Sequence, residues 1–307
     1  WTGDPWSAGA KSLLPFPVWT VASITSNDGL GNISTNTYSY KNGMYSAAKK
    51  EFRGFNRVEV IDPLGTKTIT YFHQGGGIDQ TTNGEYQDQT AKAKQGVPYR
   101  VEVWGSDGLK YTQTLNKVEE TQLHANGWTF PFVSQTIAME YEGLGAYRAF
   151  AKQFTYDTAT LNLTKESNLG EVANVDVQNH TFSDVGTDDV YTHTAYATLS
   201  NPDIKNKPSS IKITSDSAGV TRLREMLFTI YDQTRGNLLE TKQWLDNPAG
   251  YVTNSGNYDQ YGNSTTATNP VGIVTTTTFD TTYKTFPVTQ VTATFTNLFT
   301  YNVRSGQ

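Results

Sequence analysis

The segment from His180 to His193 carries residue types that could bind a metal ion. It holds two histidines and three aspartates, Asp184, Asp188 and Asp189, and imidazole and carboxylate groups both ligate metals in proteins. None of the four histidines of the chain forms an HxH or HExxH pair, which are spacings that bring two ligands together. We interpret the segment as a polar loop with acidic turn residues, and we expect no metal and no cofactor.

Paired glutamates are the second group that could do chemistry. In the stretch MEYEG, strand alternation would place Glu140 and Glu142 on the same face. Two carboxylates a few Å apart can serve as acid and nucleophile in a glycosidase. Glu102, Glu119 and Glu120 are further carboxylates on predicted strands. The stretch MEYEG also fits the solvent face of an ordinary strand. Nothing in the sequence indicates a cleft or a raised pKa, so we do not expect an enzyme.

Other catalytic motifs are missing from the sequence. There is no cysteine, which excludes a thiol nucleophile, a thiolate zinc site and disulfides. There is no Gly-x-Ser-x-Gly elbow, no phosphate-binding P-loop and no dinucleotide fingerprint in a strand–loop–helix context. The net charge is -5 without a basic stripe, so we expect no nucleic-acid partner. No apolar stretch is long enough to span a bilayer.

Composition indicates the kind of element that must position any such residues. Only 17% of the 307 residues are charged, whereas 12% are aromatic and 18 are Tyr. Tyr, Thr, Phe and Val favour pleated, half-buried surfaces, where they form cross-strand pairs. The sequence therefore predicts an all-β protein, an array of antiparallel hairpins. The segment LREMLFTIY (Leu223 to Tyr231) is predicted as a strand, and YQDQTAKAKQG (Tyr86 to Gly96) as a short helix that ends at Gly96.

The stretch EFRGFNRVEVIDPLGTKTITYFHQG (51–75) predicts a hairpin. Asp62 and Pro63 with Gly65 are the residues that a type I turn prefers, and a second hairpin turn is predicted at Gly105 to Gly108. At the hairpin entrance we expect two aromatic anchors beside an arginine that bonds backbone carbonyls or an acidic side chain, or stacks on an aromatic ring. The residues of this motif are Phe52, Arg53, Gly54 and Phe55.

The second half of the chain carries a repeat. An aromatic residue, in most copies followed by Asp, a short turn and a β-branched strand, recurs at spacings of 27, 21 and 22 residues, the last of them at Tyr301. Such a period is typical of stacked supersecondary units. An earlier, degenerate copy starts at Tyr156. The aspartate is predicted to cap the turn, and glycine to permit a positive φ. The repeat residues are Tyr231, Asp232, Gly236, Tyr258, Asp259, Gly262, Phe279 and Asp280.

These motifs resemble those of a known family. The YDxxGN units are similar to the YD repeats of Rhs proteins. The blocks LPFPVWTVASITSND (13–28), EFRGF and KQGVPYRVEVWGSDG (94–108) stand in the order found in B components of bacterial Tc insecticidal toxins and SpvB-like proteins. The resemblance runs from about residue 13 to the end. It divides the chain into a Tc-B/SpvB-like middle region at 1–135 and a continuous YD-repeat array at 136–307.

The resemblance implies a structural role. In these families a β-ribbon winds into a curved, hollow shell that encloses a toxic C-terminal polypeptide until delivery. We therefore expect a non-enzymatic segment of a secreted or cell-surface bacterial toxin, and a segment of a longer chain. Its partners would be the rest of that chain, the enclosed polypeptide and other Tc-type subunits. The self-cleavage site of the family needs paired Asp-Pro-x-Gly motifs, and this sequence has one, so that role is not carried over.

An adhesive or carbohydrate-binding module is the alternative function. Tryptophans can stack on sugars, although they more often pack within β-sheets. The candidates are Trp6, Trp19, Trp104, Trp128 and Trp244. Four Asn-x-Ser/Thr sequons are of the kind that arises by chance in a sequence rich in Asn and Thr.

Overall fold

Antiparallel strands make up almost all of the regular structure. The computed structural model describes residues 14–47, 49–75, 92–122, 129–302 and 304. These residues form nineteen β-strands and one 3-10 turn at Lys92–Lys94. The strands are β1 Ser23–Asn27, β2 Ile33–Ser46, β3 Glu51–Ile61, β4 Lys67–Phe72, β5 Pro98–Trp104, β6 Lys110–Gln122, β7 Thr129–Glu140, β8 Arg148–Tyr156, β9 Leu163–Asp176, β10 Thr181–Asp184, β11 Val190–Tyr196, β12 Pro208–Thr214, β13 Arg222–Tyr231, β14 Leu238–Asp246, β15 Ala249–Tyr258, β16 Ser264–Thr268, β17 Val274–Phe279, β18 Pro287–Thr292 and β19 Phe295–Leu298.

The strands belong to two compact units. The first unit comprises residues 1–159 and 166–189, and the second comprises 160–165 and 190–307. In the first, the eight strands β1 to β8 are paired antiparallel in chain order, and β9 pairs with β10. In the second, the same consecutive pairing runs from β11 to β19. The prediction of an all-β array of antiparallel hairpins is confirmed.

The structure confirms one local prediction of secondary structure and shortens another. The segment LREMLFTIY lies in β13, as predicted. The predicted helix appears as the 3-10 turn at Lys92–Lys94, after which Gly96 takes a φ of +80°. Residues 86–91 of that segment lie outside the described residues. The predicted domain boundary between residues 135 and 136 falls inside β7, and it stays a prediction.

The main apolar core lies in the first unit, on one face of β6, β7 and β8. Leu115 stands opposite Ile137, and Ile137 stands opposite Ala151. Met139 likewise stands opposite Ala149, and all five residues are buried. Because side chains alternate between faces along a strand, residues two apart line the same face. Large side chains on the middle strand therefore pack beside alanines on the next one.

The second unit has much less core. Its buried residues among those described are Tyr191, Leu199, Thr214, Tyr231 and Gly236. Strands β15 to β19 expose or half-expose every residue. Cross-strand contacts replace the core here, such as the hydroxyl–hydroxyl bond of 2.8 Å between Thr275 and Thr292. The unit is therefore held mainly by its backbone ladder and by pairs of side chains on neighbouring strands.

The backbones of β15 and β16 approach so closely at Gly256 that a side chain there would disturb their pairing. A Cβ atom added to Gly256 in β15 would lie 2.4 Å from the carbonyl oxygen of Thr266 in β16, whereas one added to Gly250 in the same strand meets nothing within 4 Å. A carbonyl in a paired strand cannot move aside as the tip of a flexible side chain can. The glycine at 256 is thus required by β15–β16 pairing.

This contrast leads to a test with a matched control. We expect Gly256→Ala to lower the free energy of unfolding by about 1–3 kcal/mol, the usual cost of an overpacked site. Gly250→Ala should leave it nearly unchanged. Urea unfolding followed by circular dichroism measures both, and equal effects of the two substitutions would contradict the proposed backbone clash.

Candidate functional site: a buried arginine and a series of aspartate turns

The EFRGF motif opens β3 and carries a buried arginine. A register shift in the β2–β3 pairing lies between Gly43 and Tyr45, and Gly54 has a φ of +85°, a value that glycine adopts without a steric penalty. Phe52 and Phe55 contact each other edge-on, with ring centroids 5.4 Å apart. Between them, Arg53 is only 6% exposed. The irregular backbone thus separates the two rings from an arginine that is turned away from solvent.

Arg53 connects three parts of the first unit. Its guanidinium donates hydrogen bonds to the carbonyl oxygens of Gln74, at 3.4 Å, and Gly75. Its Nε lies 2.5 Å from a carboxylate oxygen of Glu51, and the other oxygen of that carboxylate accepts a 2.8 Å bond from Lys92. The hydrogen bond from Lys92, aided by the charge of Arg53 and opposed by desolvation, holds the pKa of Glu51 below its usual range. Of the partners expected from the sequence, Arg53 therefore has both carbonyl and acidic ones.

Buried amides extend this network along the same strand ends. The side-chain amide of Gln74 donates to the carbonyls of Asn42, at 2.8 Å, and Gly54, at 3.0 Å. The amide of Asn56 donates to the carbonyl of Phe72 at 3.1 Å. Each buried amide therefore satisfies a carbonyl at an irregular strand end, where the regular ladder stops.

His73, at the end of β4, is a buried packing residue. Its ring lies 4.8 Å from the ring of Tyr99, measured between centroids. Its backbone amide donates to Val97 at 3.0 Å, and its carbonyl accepts from Gly96 at 2.9 Å. The backbone and the ring thus both hold His73 against β5.

Glu102, one of the candidate carboxylates on a predicted strand, is buried in β5. One of its oxygens pairs with Arg100 and with Lys110 at 3.2 Å, and the other accepts a 3.1 Å bond from the indole of Trp104. Burial would raise its pKa, but the charges of Arg100 and Lys110 hold the pKa below the usual range. A general acid requires a raised pKa. Glu102 is instead an ionised partner in a buried ion-pair cluster.

Aromatic rings and cations alternate beside this cluster. The ring of Tyr71 lies between two guanidinium groups, 5.8 Å from Arg57 and 5.2 Å from Arg100. Tyr71 stands opposite both residues in the strand register. Lys110 lies 5.0 Å from the ring of Trp104. Cation–π contacts of this kind stabilise a sheet face that combines charge with burial, and the sequence alternation alone did not reveal them.

The Asp-Pro-x-Gly stretch forms the turn between β3 and β4. The Asp62 carboxylate accepts the backbone amides of Leu64, at 2.9 Å, and Thr66, at 2.8 Å. The amide of Gly65 donates to the carbonyl of Asp62 at 3.0 Å, and Gly65 has a φ of +83°. Pro63, at the second turn position, has no amide to satisfy. The backbone and one carboxylate oxygen of Asp62 thus both take part in shaping the turn.

The YD repeat forms the same kind of aspartate-capped turn after β13, β15 and β17. Tyr231, Tyr258 and Phe279 are the last residues of β13, β15 and β17. Each is followed by an aspartate whose carboxylate accepts backbone amides of the next turn, at 2.9 Å from Thr234 and 2.8 Å from Tyr261 in the first two. These aspartates are Asp232, Asp259 and Asp280, and glycines at positive φ, Gly236 and Gly262, close the first two turns.

The turn hydrogen bonds perturb the carboxylates. Backbone and hydroxyl donors of Thr234 hold the pKa of Asp232 below its usual range. Partial desolvation would raise the pKa of Asp259, but hydrogen bonds from Asn263 more than offset it, so the pKa is lowered. The amides of Val220 and Thr221 lower the pKa of Asp216, in the turn after β12, to about 2. The charged carboxylate is the form that these turns require.

The possible metal ligands between residues 180 and 193 have other roles. His180 is buried, and its carbonyl accepts a 2.6 Å bond from Gln135. Asp188 accepts a 3.2 Å bond from the amide of Glu171. Across the described residues, no group of three or more His, Asp or Glu side chains is arranged to hold a metal ion.

The expectation that Glu140 and Glu142 share one face of a strand is wrong. β7 ends at Glu140, and Glu142 lies in the following turn with a φ of +50°. The backbone amides of Tyr141 and Glu142 both donate to the carbonyl of Tyr111, at 2.7 and 3.3 Å. Since the chain leaves the strand at this point, alternation no longer places the two side chains on one face.

The tryptophans divide into packed and exposed ones. Trp244 packs against Tyr251, with centroids 5.1 Å apart, and lies 3.6 Å from the guanidinium of Arg222. Trp104 is packed as described above, whereas Trp19 is fully exposed. Trp6 and Trp128 lie outside the described residues. The four sequon asparagines all donate their side-chain amide within turns or loops, which argues against modification there; they are Asn32, Asn162, Asn179 and Asn263.

This arrangement defines a structural class, a β-hairpin array in which buried polar groups and aspartate turns support backbone geometry. Comparison with known proteins shows which protein family the chain resembles. Residues 7–77 match the family model described as the middle/N-terminal region of the insecticide toxin TcdB. The chain is thus similar to the B component of Tc toxins, as the motifs predicted. No curated protein matches the chain.

Solved structures agree on the fold. A crystal structure of TcdB2-TccC3-TEV has a TM-score of 0.61 at 13% identity over 95% of this chain. TcdB2-TccC3-Cdc42 has a TM-score of 0.56 at 14% identity over 91%. A Tc holotoxin pore from Photorhabdus luminescens has 0.53 at 11% identity over 89%. The chain spans 22% of each of these chains. No helix among the described residues is long and apolar enough to cross a membrane.

The position of Arg53 predicts a large effect of its removal. Arg53→Ala leaves the carbonyls of Gln74 and Gly75 without their donor in a buried site, which typically costs about 1–3 kcal/mol for each unsatisfied group. We expect a clear loss of unfolding free energy in urea titrations. Arg148→Ala is the matched control, because Arg148 pairs with Glu171 on the surface, where ion pairs contribute little. Similar losses for both variants would contradict the structural role of Arg53.

The role of Asp259 as a hydrogen-bond acceptor predicts that Asp259→Asn and Asp259→Ala will differ in stability. Asn269, between β16 and β17, accepts the amides of Val271, at 3.1 Å, and Ile273, at 2.9 Å, as Asp259 does for its own turn. We therefore expect Asp259→Asn to keep most of the stability and Asp259→Ala to lower the thermal midpoint clearly.

The pH dependence of the same variants follows from linkage. The lowered pKa of Asp259 contributes stability that is complete above its ordinary pKa near 3.8 and is lost as the pH falls through the lowered value. Asp259→Asn should therefore flatten the fall in midpoint below about pH 4. Thermal melts from pH 7 to pH 2 measure this, and an unchanged acid slope would contradict the assignment.

Proposed function

We propose that this chain is a non-enzymatic structural segment of a bacterial toxin shell, which encloses a C-terminal toxic polypeptide and helps to deliver it. The observation that carries this proposal is the match of residues 7–77 to the TcdB middle/N-terminal region. The hairpin array, with the fold of TcdB2-TccC3 over 95% of the chain, supports it. The protein would be secreted or exposed on the cell surface.

The physical character of the second unit suits a wall. A catalytic or small-molecule site is normally a concave pocket with a few convergent polar groups. Strands β15 to β19 instead have both faces accessible, with Thr and Asn on each. The groove bounded by Glu240, Gly256 and Tyr258 is shallow, with a volume of about 160 Å³. A sheet that is wet on both sides can separate an interior from an exterior without a second layer.

The character of the first unit suits an anchoring segment. Several of its charged side chains pair with one another: Arg53 with Glu51, and Arg100 and Lys110 with Glu102. None of these pairs is arranged to activate a nucleophile or to hold a raised pKa. The partners of the segment would be the remainder of the same chain, the enclosed polypeptide and other Tc-type subunits.

Protection of the C-terminal polypeptide from proteases tests the proposal. The full-length protein that carries this chain is treated with proteinase K under native conditions, and mass spectrometry follows peptides from its C-terminal region. We expect those peptides to survive in the native protein and to be digested after unfolding in urea. A variant with Arg53→Ala should accelerate their digestion, whereas one with Arg148→Ala should not.

Rapid digestion of the C-terminal region in a natively folded protein would contradict the enclosure. Binding of the unaltered protein to a glycan array, lost in Trp19→Ala, would support the adhesive alternative instead. The two results are distinguishable because neither requires the other.

A further inference from the structure

His193 occupies an unusual position in the second unit. It lies on β11, directly opposite Lys212 on β12. Its ring faces the turn from Ser215 to Thr221, where a Cβ atom added to Gly219 would lie 3.3 Å from the ring atom Nε2. Nε2 is buried and has no hydrogen-bond partner. The ring is thus packed against this turn.

The turn beside His193 is held by three charged side chains. Lys212 donates a 2.7 Å bond from Nζ to the carbonyl of Gly219. Lys165 donates a 2.9 Å bond from Nζ to the carbonyl of Ser217. From the opposite direction, the Asp216 carboxylate accepts the amides of Val220, at 3.0 Å, and Thr221. The turn between β12 and β13, which we call the 215–221 turn, therefore depends on two ammonium groups that lie close to His193.

The neighbouring strands complete the charge environment. Glu225 on β13 stands opposite Lys212, but its carboxylate is already engaged at 2.6 Å by both Arg222 and the hydroxyl of Tyr251. Tyr191, two residues before the histidine on β11, carries Lys165 4.9 Å from its ring. The groups that face His193 are thus two lysines, one carboxylate committed to backbone amides and one carboxylate committed to other donors.

We propose that His193 makes the 215–221 turn sensitive to acid: protonation of its imidazole releases the turn and loosens the β12–β13 hairpin. The charged imidazole would lie in a partly buried site where Nε2 has no hydrogen-bond partner, and the backbone of Asp216 favours the proton only in part. The new charge would also repel Lys212 and Lys165, which hold the turn through the carbonyls of Gly219 and Ser217. Moving either lysine away removes one of those hydrogen bonds.

The sign of the pH effect follows from the environment. Burial, and then the charge of Lys165, lower the pKa of His193, and Asp216 opposes them only in part. Between the lowered pKa and the ordinary value near 6.5 the unfolded state binds more protons than the folded state. The stability of the turn is therefore complete above about pH 6.5, and it falls as the pH drops through the lowered pKa. Asp216, with a pKa of about 2, stays ionised throughout this range.

The proposal goes beyond a role as a passive wall. Most side chains keep one charge state between pH 5 and pH 8, and histidine is the exception. A wall segment with a turn of this kind would keep its form at neutral pH and loosen one hairpin in a mildly acidic medium. The effect would be local. The β16–β17 hairpin, for example, has the sequence STTATNPVGIVTTTTF, which contains no ionisable side chain.

Hydrogen–deuterium exchange of the full 307-residue chain tests the proposal. Exchange is compared at pH 7.5 and pH 5.5 after correction for the intrinsic pH dependence of amide exchange. We expect peptides that cover residues 210–224 to exchange several-fold faster at the lower pH, while peptides from the β16–β17 hairpin stay unchanged. Unchanged exchange in residues 210–224 of the unaltered protein would overturn the proposal without any variant.

Substitutions then assign the effect to the histidine and its lysines. His193→Gln, which cannot be protonated in this range, should abolish the acid response of residues 210–224, whereas His73→Gln should leave that response in place. Lys212→Met should weaken the acid response, because it removes one of the two charges that a protonated imidazole repels. An acid response that persists in full in His193→Gln would overturn the proposal. Should that variant fail to fold, an imidazole titration followed by NMR in the unaltered chain must give a pKa for His193 below the ordinary value, and a raised value would overturn it as well.

Discussion

The structure depends on the backbone amides at its hairpin tips. In an array of short antiparallel strands a large share of the residues lies in turns, where the ladder ends and amides lose their partners. Here an Asx side chain at the start of the turn accepts them, as Asp28, Asp62, Asp216, Asp259 and Asn269 do at five different tips. A single short side chain fixes both the direction of the turn and the register of the strands that follow it.

This dependence explains the contrast between the two compact units. The first unit adds an apolar core and buried ion pairs to its turns, and Arg53 and Glu102 each sit where several strands need a charged partner. The second unit has few buried residues, so its turns and cross-strand pairs carry a larger share of the stability. A sheet of that kind tolerates many side chains on its faces but few changes at its turns and at positions such as Gly256, where two backbones nearly touch.

Local signals explain what could be predicted from the sequence. The Asp62 turn and the aromatic-Asp repeat were readable because a turn is formed by neighbouring residues. The role of Glu102 was not, because its partner Lys110 belongs to the next strand and burial depends on the whole sheet. Glu142 shows a third case: the glycine at 143, with a φ of +76°, signalled a turn, yet alternation was extended through it. His193 likewise became informative only when β12 and its turn were placed beside it.

The uneven spacing of the repeat has a simple physical cause. From Tyr231 to Tyr258 the chain passes through β14 and β15, of 9 and 10 residues, whereas from Tyr258 to Phe279 it passes through β16 and β17, of 5 and 6 residues. The repeat is therefore not a fixed length of sequence but one hairpin, and its period follows the length of the strands. What is constant is the aromatic residue at the strand end and the Asx acceptor after it. Selection on such a chain would thus act on the turn residues at each hairpin tip. The lengths of the strands between the turns would be free to vary.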